Sequence, residues 1–240
     1  MQIYSLARSQ LCNLLSGFEL LSRESVELAL NLRADLRDLV ETRTPYYVLL
    51  GATASGLVDL RVMAEAFLEQ LVEKGHIVNG AVAASKAQAA SFWGMREAMV
   101  EAQVRYGRHL GTDVSVPISL ISLFVAEADA LLAEHVPDAL PLLYGHVGNG
   151  NIHCNVLPPR ELEGDSLLEY LRRCEELIFE VVDRLDGSIS AEHGIGISKQ
   201  RAFFERTSPL DLNLMQEIRL PSDPGSLLSP GRLLPKRVSD

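Results

Sequence analysis

The sequence predicts an α+β fold, with a mostly antiparallel sheet and helices packed on one face, in a single domain over residues 1–240. Three observations carry this. Long, proline-free stretches rich in Leu, Glu and Arg alternate with short β-branched and aromatic runs bounded by Gly or Pro. Two of those runs meet across Asn149-Gly150, the strongest short hairpin signal, which demands antiparallel neighbours. A β-α-β spacing occurs about twice, over 44–82 and 112–157, which hints at two related halves.

Taken in order, residues 5–40 place Leu11, Leu14, Leu15, Phe18 and Leu21 at helical spacing, predicting one or two amphipathic helices. Residues 44–53 (TPYYVLLGAT) predict a buried strand between Pro45 and Gly51. A helix over 57–74 ends at Gly75, and 76–83 (HIVNGAVA) reads as a second strand. A long helix over 85–107 carries the only tryptophan, Trp93. A short strand at 112–117 stops at Pro117, and a helix over 118–134 follows. Residues 141–159 read as two strands, 165–185 as a helix, 188–199 as an irregular glycine-containing segment, and about 209–219 as a last helix before a Pro/Gly/Ser-rich tail.

The chain has 240 residues, 47% hydrophobic and 22% charged, which suits a globular domain with a sizeable core. A net charge of −10 disfavours nucleic acid and anionic membrane surfaces as partners. Cys12, Cys154 and Cys174 lack CxxC spacing and read as reduced thiols in a cytoplasmic location. The opening MQIYSLARSQL holds no long apolar segment, so no signal peptide is expected, and no apolar run approaches the roughly 20 residues of a membrane helix.

The chemically richest stretch is GHVGNGNIHC, residues 145–154. A two-residue turn at Asn149-Gly150 would pair His146 with His153 on one face, Cβ atoms roughly 4.5–5.5 Å apart. Tyr144 and Asn155 would share that face, and Val147, Ile152 and Cys154 would turn to the core. This geometry suits a two-imidazole metal bite; it equally suits an exposed hairpin with a chance histidine pair. A phosphate loop fits less well, because no Gly-x-Gly-x-x-Gly opens a helix here and no Gly-x-x-x-x-Gly-Lys-[Ser/Thr] occurs anywhere. Two imidazoles need a third ligand, and Glu192 in SAEHGIG offers one, beside His193 and held by Gly194 and Gly196; the same stretch also reads as a plain glycine turn.

Together, GHVGNGNIHCNV and SAEHGIGISK resemble the C-terminal cap, or substrate, domain of FAD-linked 2-hydroxyacid dehydrogenases and oxidases. This family includes D-lactate dehydrogenase and the glycolate oxidase flavin subunit; the D-2-hydroxyglutarate dehydrogenase branch looks nearest. FWGMREAMVEAQ (92–103), DVSVP (113–117) and LLSPGRLLP (227–235) extend the resemblance over nearly the whole chain. It implies a duplicated, ferredoxin-like cap and a flavin domain that this chain lacks, held on a separate chain or lost. It implies oxidation of a D-2-hydroxyacid of lactate, glycolate or 2-hydroxyglutarate type to the 2-oxoacid. The alternative is a non-catalytic metal-binding remnant acting as a binding module. The implied metal ligands are His146, His153 and Glu192, zinc being favoured over manganese or iron. The implied general base is His193. Arg96 would pair with a substrate carboxylate and Asn155 would lie near the substrate; without the resemblance Arg96 reads as a helix charge paired with a neighbour. The implied cofactor is FAD, and the implied partners are a small 2-hydroxyacid, an electron-accepting protein or quinone, and a flavin-domain chain, with homodimerisation left open. This chain departs from the family pattern at Asn149, where Asp is common, at Gly111, where Lys is usual, and at Ser229 and Arg232, where Asn and Lys are usual.

Overall fold

The computed structural model describes residues 1–38, 40 and 42–234. The helical reading that reached residue 40 therefore crosses a position outside the described residues, as does the end of the 227–235 motif. The chain divides into two compact units, Met1–Ser188 and Ile189–Asp240.

The first unit opens with α1 (Gln2–Leu11), β1 (Leu15–Ser22) and α2 (Arg23–Leu32). Then come β2 (Tyr46–Ala52), α3 (Leu60–Glu73), α4 (Lys86–Tyr106) and β3 (Val114–Ser115). It closes with α5 (Ile121–His135), β4 (Leu140–His146), β5 (Asn151–Leu157) and α6 (Gly164–Arg184). The sheet order is β2-β1-β4-β5-β3, and every pairing is antiparallel. The expected α+β class and mostly antiparallel sheet are therefore present. The second unit holds α7 (Gln200–Arg206) and α8 (Pro209–Ser222).

Serine and aspartate fix the helix starts. Ser22, Asp59, Ser85 and Ser208 accept hydrogen bonds from first-turn amides of α2, α3, α4 and α8, satisfying donors that no helical carbonyl can reach. In α8, Pro209 at the first position loses no hydrogen bond.

Four expectations need correction. Residues 15–22 form the strand β1, not a helix. Cys12, at φ 48°, ends α1, and β1 then lies between β2 and β4. A strand in mid-sheet need not alternate apolar with polar residues, so its leucines fell by chance on helical spacing. Residues 76–83 form no strand, because the Asn79 side chain accepts the Gly80 amide at 2.7 Å and turns the chain locally. The β-α-β reading over 44–82 goes with that strand, whereas 112–157 does hold β3, α5 and β4 in that order. Finally, helices cover both faces of the sheet rather than one. Tyr46 and Tyr47, adjacent in β2, point opposite ways: Tyr46 Oη donates to Asp129 of α5 at 2.6 Å, while Tyr47 packs with Val26 and Ala29 of α2 and Met95 and Met99 of α4. Accordingly every residue of β5 is buried.

Glycines set two close approaches. Gly17 and Gly51 are cross-strand partners in β1 and β2, and a Cβ on either would stand 3.0 and 3.3 Å from the Trp93 indole of α4. A Cβ on Gly145 would strike the β5 backbone, 2.8 Å from Ile152 Cα and closer still to the Asn151 carbonyl oxygen.

Candidate functional site

The hairpin β4–β5 forms, with a different register from the one expected. Tyr144, not His146, is the partner of His153. A type I′ turn needs φ > 0 at two successive residues; here only Gly150 takes it, at φ 74°, after a 3-10 turn over Val147–Asn149. The connection therefore spends four residues. The slip is two residues, one full strand period, so the same side chains stay on the same face. The histidines become diagonal neighbours, with ring centroids 6.0 Å apart and planes at 83°. Gly150 admits no side chain, since its Cβ would stand 2.5 Å from the Val116 carbonyl oxygen.

Both rings are held through Nδ1. His146 donates to Glu19 Oε1 at 2.5 Å, and His153 to the Thr112 carbonyl at 3.3 Å. Burial holds the His153 imidazole below the usual histidine range, so its neutral form is favoured. Cys154 and Ile152 point to the opposite, core side, where burial pushes the Cys154 thiol up, as expected of a residue that is no ligand.

Glu19 is a functional candidate that sequence reasoning missed. It lies on β1 as the cross-strand partner of His146 and is 4% exposed. Its second oxygen accepts from Arg96 Nε at 3.1 Å. Arg96 also stacks over the Tyr144 ring, 4.4 Å from guanidinium carbon to centroid. Its terminal nitrogens make no further hydrogen bond among the described residues, leaving an anchored fork with donors to spare. The one available signal was a lone glutamate in a leucine-rich run, FELL, inside a stretch that read as helical.

Asn155 shares this face but is fully engaged. Its amide nitrogen donates to Gln103 Oε1 at 2.6 Å and to Tyr144 Oη at 3.0 Å, and its oxygen accepts the Thr112 amide at 2.8 Å. Gln103 and Arg96 come from one side of α4, which also buries Met95 and Met99. A Cβ on Gly111 would lie 4.0 Å from Asn155 Oδ1, so position 111 borders the same face.

The first unit thus brings together His146, His153, Arg96 and Asn155. Glu192 and His193 belong to the second unit, on an irregular, exposed stretch in which Gly194 and Gly196 take φ of 73° and 57°. Lys199 Nζ donates to the Ile189 carbonyl at 2.9 Å and ties the ends of that stretch together. Among the described residues, no three His, Cys, Asp or Glu side chains form a cluster that could hold a metal ion.

This fold and its paired imidazoles fall in a known class: the chain belongs to the family of FAD linked oxidases, C-terminal domain, whose pattern it matches over residues 4–233. The chain is 37% identical to the D-2-hydroxyglutarate dehydrogenase of Xanthomonas citri pv. viticola, over 97% of this chain and 48% of that protein. It is 34% identical to the mitochondrial D-2-hydroxyglutarate dehydrogenase of Arabidopsis thaliana, over 95% of this chain and 40% of that protein. The chain thus spans about half the length of the curated relatives it matches. The solved structure of 4-ethylphenol oxidase from Gulosibacter chungangensis, in an isoeugenol complex, shares the fold with a TM-score of 0.59 at 12% identity, covering 99% of this chain and 52% of that one. No helix among the described residues is long and apolar enough to cross a membrane.

Proposed function

We propose that the chain is the substrate- and metal-binding part of a flavin-dependent oxidoreductase that converts a D-2-hydroxyacid to the 2-oxoacid. The carrying observation is the shared face of His146, His153 and Arg96, with Glu19 bridging the first and last; the names of the relatives give the substrate class. Three free thiols, two of them buried, suit a reducing compartment such as the cytoplasm.

The donor chemistry fits a divalent transition ion. Anchoring each Nδ1 on an oxygen is how proteins aim metal-binding imidazoles, and it assigns Nε2 as the ligating atom. His146, His153 and Glu192 would hold the ion, with zinc favoured by two nitrogens and one carboxylate. When bound, it would supply Lewis acidity toward the substrate's hydroxyl and carboxylate oxygens. The flavin would supply the hydride acceptor; no residue of this chain is assigned to it. His193 takes the hydroxyl proton. Arg96 presents its terminal nitrogens to a carboxylate, held by Glu19 behind and Tyr144 beneath. Asn155 holds Tyr144 and the 111–112 segment in place and reaches the substrate only by surrendering one of its bonds. Electrons leave to an acceptor protein or quinone.

Chelator-stripped chain loaded with zinc binds about one ion per molecule, as a three-ligand site requires. Elemental analysis after desalting checks this; retention of as much zinc by the His146→Ala, His153→Ala double variant sinks the assignment.

Gly111 favours a second reading, a metal-binding module with weak or no turnover, because a cationic anchor is missing from the rim of the site. The glycine is not at positive φ, so it admits a side chain. With the flavin-binding part supplied, Gly111→Lys raises kcat/KM for a dicarboxylate 2-hydroxyacid about tenfold over a monocarboxylate one, the scale of one charge-assisted hydrogen bond. An unchanged ratio removes position 111 from substrate selection.

A further inference from the structure

We infer that Glu19 is a positioning residue that uses the two oxygens of one carboxylate to set the tautomer of His146 and the pose of Arg96. The inference rests on the metal-binding reading above for its purpose, and on the hydrogen bonds alone for its geometry.

Glu19 is 4% exposed, so water does not satisfy its oxygens. Oε1 takes the His146 Nδ1–H at 2.5 Å, and Oε2 takes the Arg96 Nε–H at 3.1 Å. Both neighbours are donors toward Glu19. The guanidinium can be nothing else, since arginine has no acceptor. The imidazole has a choice, and a neutral histidine left in water carries its proton mostly on Nε2. An ionised Glu19 is acceptor-only and forces that proton to Nδ1, so that Nε2 carries the lone pair, the form a metal ligand requires. The same carboxylate fixes Arg96 from behind its fork, while Tyr144 supports the guanidinium plane. One buried charge on β1 thus aligns a metal ligand on β4 with an anion-binding residue on α4.

This makes a sharp prediction for Glu19→Gln. The amide has one acceptor and one donor end. Arg96 Nε–H can only be met by the oxygen, so the NH2 group must face His146. His146 Nδ1 then has to accept, and its proton moves to Nε2, the ligating atom. Adding Arg96→Met frees the amide to rotate, present its oxygen to His146 and restore the Nδ1–H form. A merely structural role for Glu19 gives no such rescue, because the second change would only add damage.

The test is ¹⁵N NMR of the histidine rings in the metal-free full chain, paired with zinc titration. Expected are an Nδ1–H His146 in the wild type, an Nε2–H ring and 10- to 100-fold weaker zinc binding in Glu19→Gln, and recovery of both in Glu19→Gln with Arg96→Met. An Nε2–H His146 in the wild type overturns the proposal without any variant. So does a Glu19→Gln ring that keeps its proton on Nδ1, or a double variant no better than the single. If zinc leaves the wild-type His146 and His153 signals unmoved, the metal-binding reading fails, while the tautomers still decide the role of Glu19.

Discussion

Replacing His193 by alanine lowers turnover of the flavin-loaded enzyme by about a hundredfold or more, the usual loss on removing a general base. The substituted side chain is solvent-exposed, on the stretch of the second unit that runs into Gly194 and Gly196. The loss therefore falls on kcat while the melting temperature and zinc content stay at wild-type values. Steady-state rates with an artificial electron acceptor, measured for the chain joined to or mixed with its flavin-binding part, check this. Normal turnover with His193 replaced would refute the proposed mechanism and leave the binding-module reading as the better one.

Gly145→Val is expected to be the most damaging single change in the sheet. The added side chain would enter the backbone of β5, and neither strand can withdraw, because β4 is paired on both sides, with β1 and with β5. Overpacking against backbone costs about 3 kcal/mol or more, equivalent to a fall of about 6–12 °C in melting temperature for a unit of this size. Gly148→Ala is the matched control. It lies three residues away, is not at positive φ, and its added methyl finds nothing nearer than the Tyr4 hydroxyl at 3.6 Å. Calorimetric melts that place the two variants together would show that the β4–β5 approach tolerates side-chain bulk.

The elements that sequence reasoning located are those whose period survives their surroundings. α3, α4, α5 and α6 each formed within a few residues of the stretch that indicated it. β1 was illegible for a physical reason: as an interior strand it owes nothing to alternation, and its leucines mimic a helix. Losing β1 hid Glu19, because a glutamate on a supposed surface helix is unremarkable and one in mid-sheet is not. The hairpin was legible in its face but not in its register. Face depends on parity alone, whereas register depended on whether Asn149 would join Gly150 at positive φ, and it does not. The short α7 was unseen because seven residues show too few turns for periodicity to speak. Arg96 was visible only through family likeness: nothing in WGMRE distinguishes a guanidinium that ends on a buried carboxylate from one that ends in water.

The glycine pair under Trp93 makes the molecule its own optical sensor. Trp93 is the sole tryptophan of the chain, is 36% exposed, and precedes Arg96 by three residues, one helical turn of α4. Its indole rests on the bare backbone at Gly51 and at Gly17, the latter two residues before the carboxylate that grips Arg96. All ultraviolet emission excited at the red edge comes from this one ring. An anion that draws on the Arg96 fork pulls on the same turn of helix that seats the chromophore, so its arrival can be followed by colour and intensity without labels, substrates or turnover.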